Sequence, residues 1–547
     1  MTTLEQTLQT ALETMAKTNE MLVRQYEEEK ARRIKEESRS AELTAKINEL
    51  LAQIAWLQRK IFGRSSEKFR PDTHPSLFSE EELGAVPQLE KTCAEQPVET
   101  DPVSHGKSKR QPVSRARQGW ENLPVLETVT LEPEGVDLQR YRRIGEEVTH
   151  TVEIKPGMLY RREIIRPKYG LKDPTEPVEK GKGVLIAPMP PLPIPKGMAG
   201  ASLLCEIVLK KYEYHMPFYR QIKEFAHLGM EGLREATVVG WYQRTVELLR
   251  PLYDLLVSEV MKTDYIQADE TTIPVINNEK HRADKEYLWM ARSVMERLVV
   301  FFYDDGSRAG KVIKDLTDRH KFKGYLQCDG FGGYEAAYRG HARVSLVHCM
   351  VHIRRQFERA LDESREPAEW FLSRIRKLYK VEHDCDRKGL DFEARKAVRR
   401  EKTAPLMEEM RQWMESEGLL YSERTLIGKA VTYAYNRWPN MKRILEDGRL
   451  KLDNNLGENE IRPVTLGRKN YLFCGNHESA DNMCVILSLL GTARNHDVNP
   501  RLYLGDIIAR MPYMQKASGE ELIDLLPHKW IQKHPEAPCK DIRAKAK

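Results

Sequence analysis

Three acids have the types and the settings to do chemistry: Asp269 in YIQADETTIPV, Asp329 in GYLQCDGFGGY and Glu458 in DNNLGENEIRP. Two carboxylates a few ångströms apart repel and raise each other's pKa unless divalent cations sit between them. Oxygen-only ligands favour Mg²⁺ or Mn²⁺ over zinc. A third carboxylate would complete a site for two ions about 3.5–4 Å apart, suited to in-line displacement at phosphorus. Arg462, Arg468 and Lys469 follow Glu458 closely, where DNA phosphates would have to approach. The chain carries 82 Asp and Glu residues, so such triples abound. Salt-bridged surface carboxylates remain open as the alternative.

The placement of the acids narrows the choice. From position 264, three β-rich runs (DYIQADETTIPV, YLWMARSV and RLVVFFYDDG) are separated by turn signals. A helical AGKVIKDLTDRH, a strand GYLQCDG, a segment GGYEAAYRG and a strand RVSLVHC follow. Three strands and then alternating helix and strand is the order of an RNase H-like α/β domain. Asp269 falls in or at the end of the first strand. Asp329 ends the fourth, just before Gly330, Gly332 and Gly333, which permit a sharp exit. If those strands are neighbours, both carboxylates leave one edge of the sheet. On a helix, Glu458 shares a face with Ile461 and Arg462, so Ile461 can anchor it towards the aspartates while Glu460 points elsewhere. Pro463 is expected to kink or end that helix.

The remainder of the 547 residues must position this core, and a chain of that length needs several domains. An apolar fraction of 40% is that of a folded protein, and a net charge of +6 leaves the basic character in clusters. Residues 1–70 read as a coiled coil and a DNA-contacting helix. The first 62 carry a heptad frame, interrupted by charges at 29, 33 and 36, with a seam unbroken through Leu43, Ile47, Leu50, Ile54, Leu57 and Ile61. A solvated helix packed on its own chain is the alternative. The seam runs into FGRSSEKFR, where Arg64 and Lys68 suit a DNA-contacting element. Residues 71–119 have linker composition with a basic tail, and 120–188 alternate like a small antiparallel β module. A helical, helix-turn-helix-like segment is expected over 189–260, with a three-helix packing module that does not contact DNA as the equal alternative. The catalytic core is expected at 261–355 and 450–500, interrupted by a helical insertion at 356–449 and followed by a helical tail at 501–547. Trp413 and Trp438 in the insertion read as core. The eight cysteines are scattered with no CxxC pair. There is no signal-peptide pattern and no apolar run of roughly 18 residues, so a soluble cytoplasmic protein that does not enter the membrane is expected.

FGRSSEK, IPKGMAGASLL, YEYHMPFYRQ, QADET, YLW, CDGFGGY, DNNLGENEIRPVTLGRKNYLF, SLLGTARNHDVNPRLYL and LLPHKW occur in this order over most of the chain. With them the sequence resembles the IS66 family of bacterial insertion-sequence transposases, DDE-type enzymes with an RNase H-like core. The resemblance implies that Asp269, Asp329 and Glu458 are the metal-binding catalytic acids, served by two Mg²⁺ or Mn²⁺ ions. It implies strand cleavage at the element's terminal inverted repeats and transfer of the freed 3′-OH into target DNA. VHCMVHIRRQF resembles the Cys-x-x-His element that several such enzymes carry, here Cys349 and His352, which are expected to be structural near the site. Many members also carry a cysteine-rich zinc segment before the core, and residues 120–188 contain no cysteine, so no zinc is expected. The implied partners are double-stranded DNA, further copies of the chain through the coiled coil, and helper proteins of the same element, at the bacterial nucleoid. Two rivals stand beside this reading: a DNA-binding regulator with an inactive core, and a nuclease that hydrolyses without joining.

Overall fold

The computed structural model describes residues 123–134, 141–155, 157–172 and 184–538, with Met15 and Met21 as isolated helical positions. The heptad seam, Arg64, Lys68 and the 71–119 linker lie outside the described residues. The described part is a mixed α/β structure with two sheets and many helices.

The first sheet contains β1 (Val125–Thr130), β2 (Tyr141–Lys155), β3 (Met158–Leu171) and β4 (Val184–Ile186). Strands β2 and β3 form a long antiparallel hairpin, with Gly157 at φ +83° in its turn, a value that glycine takes without strain. On the edge of β3 opposite β2, β1 adds parallel along 161–165 and β4 antiparallel along 168–170, so the module is mixed rather than purely antiparallel.

Helices α1 (Ala201–Tyr212), α2 (Phe218–His227) and α3 (Glu235–Met261) follow. They do not stand apart as a separate reading head. Val246, Leu249, Leu252 and Leu256 of α3 are buried in one apolar cluster with Leu288, Val299 and Phe301 of the second sheet. Arg250 is bound to Asp481 at 2.7 Å and Arg244 to Glu247 at 2.9 Å.

The second sheet holds β5 (Tyr265–Asn277), β6 (Arg282–Ser293), β7 (Val299–Tyr303), β8 (Gly324–Cys328) and β9 (Val344–His348) in the order β7-β6-β5-β8-β9. The first three strands pair antiparallel; β8 joins β5, and β9 joins β8, in parallel. The parallel additions need crossovers, supplied by α4 (Lys311–Arg319) and α5 (Gly332–Tyr338).

Helix α6 (Met350–Arg359) leaves β9 and leads into α7 (Arg365–Arg387), α8 (Phe392–Val398), α9 (Ala404–Ser416) and α10 (Leu426–Met441). These helices build their own apolar cluster. Phe357 stacks on Phe371 at 3.9 Å and Trp370 on Trp413 at 4.8 Å, and both Trp413 and Trp438 are buried, as expected of core residues. Arg399 is fully buried there. It pairs with both oxygens of Glu382 at 2.7 and 2.8 Å and donates to the carbonyls of Ile444, Asp447 and Leu450. All its donors are thereby engaged, and the insertion is pinned to the stretch that re-enters the sheet.

Helix α11 (Asn455–Tyr471) returns to the sheet, followed by α12 (His477–Asn495), α13 (Pro500–Arg510), α14 (Gly519–Ile523) and α15 (Pro527–Lys533). Helix α11 runs through Pro463 rather than ending there. Buried Ile461 and Val464 flank the proline, and Arg468 bonds to β5 further on. Anchoring on both sides outweighs a proline penalty of about 3 kcal/mol. Among the described residues no helix is long and apolar enough to cross a membrane.

Candidate active site

The parallel register between β5 and β8 runs Tyr265 with Tyr325, Ile266 with Leu326 and Gln267 with Gln327. Asp269 and Asp329 each lie two residues further on, so both leave the same end of two adjacent strands. Side chains two apart share a strand face, so each glutamine stands on the face of the acid that follows it.

These two glutamines are buried and join three chain segments. Gln267 Nε2 donates to Gln327 Oε1 at 2.8 Å and to the Asp453 carbonyl at 3.0 Å. Gln327 Nε2 donates to the Lys451 carbonyl at 2.7 Å. The Gly457 amide donates to Gln267 Oε1 at 3.0 Å, and Asn454 Nδ2 donates to the Ala268 carbonyl at 3.0 Å. A Cβ on Gly457 would lie 2.9 Å from Met290 Cε and 3.5 Å from Gln267, so glycine permits this close approach. The first turn of α11 is thus held over the ends of β5 and β8, and Glu458 is delivered beside Asp269. Glu460 points away, buried against Arg292 at 3.3 Å.

Asp329 is set by a turn. Its Oδ1 accepts the Phe331 amide at 2.8 Å while Gly330 takes φ +86°. Helix α10 grips the same turn: Tyr433 donates its hydroxyl to the Asp329 carbonyl at 3.1 Å, and Arg437 donates to the Gly330 carbonyl at 2.7 and 3.0 Å. A side chain at position 330 would run into Arg437, 2.6 Å from an added Cβ. The helical insertion therefore positions one of the acids.

The electrostatics follow from this crowding. Burial pushes the Asp269 carboxyl well above its ordinary range, and the charges of Asp329, Glu270 and Glu458 push it further. Glu270, the next residue, rises to about 7 through burial and then the Asp329 charge. Arg308 opposes that rise as an ion pair at 3.0 Å, and the Tyr334 hydroxyl donates to it at 3.1 Å. Carboxylates that lift one another in this way form a site short of positive charge. Their oxygen-only character suits Mg²⁺ or Mn²⁺.

Cys349 and His352 lie against Glu458: one atom from each of the three falls within 4.8 Å of the other two. Of the three cations placed after Glu458, Arg468 donates to the hydroxyls of Thr271 and Thr272 at 3.3 and 2.8 Å, and so ties α11 to β5. Lys469 is exposed and Arg462 partly buried.

Glu270, Arg308, Tyr334, Tyr433 and Arg437 were not singled out from the sequence. One signal was present: QAD at 267–269 and QCD at 327–329 repeat a glutamine two residues before each acid.

The family profile described as Transposase IS66 family matches residues 196–482, which span all three acids. A second, described as transposase C of IS166 homeodomain, matches residues 49–127. The chain is 28% identical over 511 residues to the uncharacterized protein y4jD of Sinorhizobium fredii, covering 89% of this chain and 96% of that protein. It is 26% identical over 503 residues to y4hP of the same organism, covering 87% and 88%.

Proposed function

The chain belongs to the IS66 transposase family, and from that premise we propose that it is a DDE-type DNA transposase acting at the ends of its insertion sequence. The observation that supports the reading is that Asp269 and Asp329 follow the same end of two adjacent parallel strands, over which the glutamine pair holds the first turn of the helix that carries Glu458. The strand order, three antiparallel strands extended by two parallel ones on the β5 side, supports an RNase H-like core.

In this account Asp269, Asp329 and Glu458 hold two divalent cations, which when bound supply positive charge to a phosphodiester undergoing in-line displacement. The protein's own part is to position the groups. The glutamine pair and Gly457 keep Glu458 in line with the sheet acids, and the grip of α10 keeps Asp329 turned to the same point. Arg308 partly neutralises Glu270, which limits the charge that accumulates without cations. Arg462 and Lys469 receive DNA phosphates, whose attraction is sequence-independent and salt-sensitive. Arg468 holds the helix that carries them. Arg64 and Lys68, beside the N-terminal coiled coil, contact DNA as protomers assemble so that both element ends are processed together.

A duplex carrying a terminal inverted repeat, incubated with the full-length protein, Mg²⁺ and a target plasmid, tests this proposal. The transposase reading requires repeat ends joined covalently to target. Nicked repeats without joints would instead identify a hydrolytic nuclease, and binding without strand breakage a regulator.

A further inference from the structure

Cys349 closes β9 and caps the start of α6, and His352 follows within that helix's first turn. The start of α11 is bound to the start of α6 through Met350, whose amide donates to the Leu452 carbonyl at 2.9 Å. This contact brings Glu458 across to the Cys-x-x-His pair. His352 Nδ1 and Glu458 Oε1 stand 4.0 Å apart, shielded from solvent, and neither has a hydrogen-bond partner.

That separation is too long for a hydrogen bond, and leaving two facing polar atoms unsatisfied is unfavourable. Two ligands of a tetrahedral cation at about 2.0–2.2 Å stand roughly 3.4 Å apart, so a bound cation would draw these two atoms together by about half an ångström and give both a partner. Burial and then the charges of Glu458 and Asp453 hold the Cys349 thiol well above its ordinary range, so the thiolate needs a coordinated cation, which deprotonates a thiol outright. Cys349 Sγ accepts the Asn454 amide at 3.3 Å and also the backbone amide of His352. A thiolate and a carboxylate together balance a divalent cation, and sulfur, nitrogen and oxygen donors in one set favour zinc over magnesium.

We propose that Cys349, His352 and Glu458 form a zinc-class site that adjoins the oxygen-only site and shares Glu458 with it. Its metal clamps one oxygen of Glu458 to α6 and leaves the carboxylate's orientation towards the sheet fixed. This consequence for catalysis rests on the transposase reading of Glu458; the metal site itself does not. The sequence reading gave Cys349 and His352 a structural place near the site and expected no zinc. The unpartnered atoms are what change that assignment.

Full-length protein, equilibrated with micromolar zinc and dialysed, should retain about one zinc per chain by elemental analysis. Cobalt in its place should show sulfur-to-metal charge-transfer absorption. Cys349→Ser should lose that absorption and His352→Ala should lose the metal, with native circular dichroism in both. His352→Cys, which restores a ligand, should hold the metal again. Asp269→Asn and Asp329→Asn should keep it. Wild-type protein without bound zinc, or full retention by folded Cys349→Ser, overturns the proposal. The two readings fail separately. Bound zinc with cleavage persisting in Asp269→Asn sinks the transposase mechanism alone. Absent zinc with cleavage lost in Asp269→Asn sinks the zinc site alone.

Discussion

Gln267 and Gln327 face each other across the parallel β5–β8 pair, joined at 2.8 Å, each two residues ahead of a candidate metal-binding acid. Through Asp453, Gly457 and Lys451 the same two side chains hold the helix that carries the third acid.

Replacing Gln327 with Met keeps the volume and removes that link. It leaves Gln267 and the Lys451 carbonyl short of partners inside the core, a loss of about 1–3 kcal/mol. Denaturant unfolding should record this destabilisation. Cleavage by the folded variant should need more Mg²⁺ than wild type, because Glu458 is no longer held in line. An unchanged Mg²⁺ requirement would separate the glutamines from the site.

The raised acids predict a pH effect with a definite sign. An acid whose folded pKa lies above its unfolded value keeps a proton that the unfolded chain releases, so stability falls as pH rises between the two values. For Glu270 that window runs from the usual carboxylate range near 4.5 to about 7, and Asp269 shifts in the same direction. In chelator, thermal stability should therefore decline across this window. Asp269→Asn should melt higher than wild type at pH 8 without metal, and it should lose the stabilisation that Mg²⁺ confers. A lower melting temperature for Asp269→Asn under those conditions would contradict the crowded-acid account.

Arg399 predicts a purely structural defect. Arg399→Ala leaves the half-buried Glu382 with Arg395 alone and three carbonyls without their arginine donor. A loss of about 3–5 kcal/mol is expected in chemical denaturation. Lysine should not rescue it, because an ammonium cannot reproduce the planar fork that reaches all these acceptors.

Two neighbouring cations on α11 should behave differently. Lys469→Ala should weaken binding to any duplex and flatten the salt dependence of the affinity, with little change in stability. Arg468→Ala should mainly lower stability, since its guanidinium is bound to Thr271 and Thr272. Equal salt slopes for Lys469→Ala and wild type would remove Lys469 from the DNA path.

The strand series around the acids was legible because its evidence is local: β-rich runs, turn residues and the glycines after Asp329. The placement of Glu458 on a helix face anchored by Ile461 was legible from helical periodicity. What escaped depends on contacts distant in sequence. Arg468 looked like a phosphate ligand because its charge is visible in sequence and the Thr271 and Thr272 hydroxyls across the core are not. The role of α10 was hidden because Tyr433 and Arg437 act on backbone carbonyls, which carry no residue signature. Pro463 did not show that the helix continues past it, because local propensity carries no information about the packing that holds both ends of α11. The shared core of α3 and the second sheet was likewise invisible to periodicity, which shows an apolar face but not its partner.

The central claim is that Asp269, Asp329 and Glu458 act together on DNA. The most direct measurement is Mg²⁺-dependent cleavage of a terminal-repeat duplex by full-length Asp269→Ala, with binding to the same duplex followed by gel shift. The account predicts unchanged binding with strand cleavage abolished. Cleavage near the wild-type level by this variant in Mg²⁺ would contradict it.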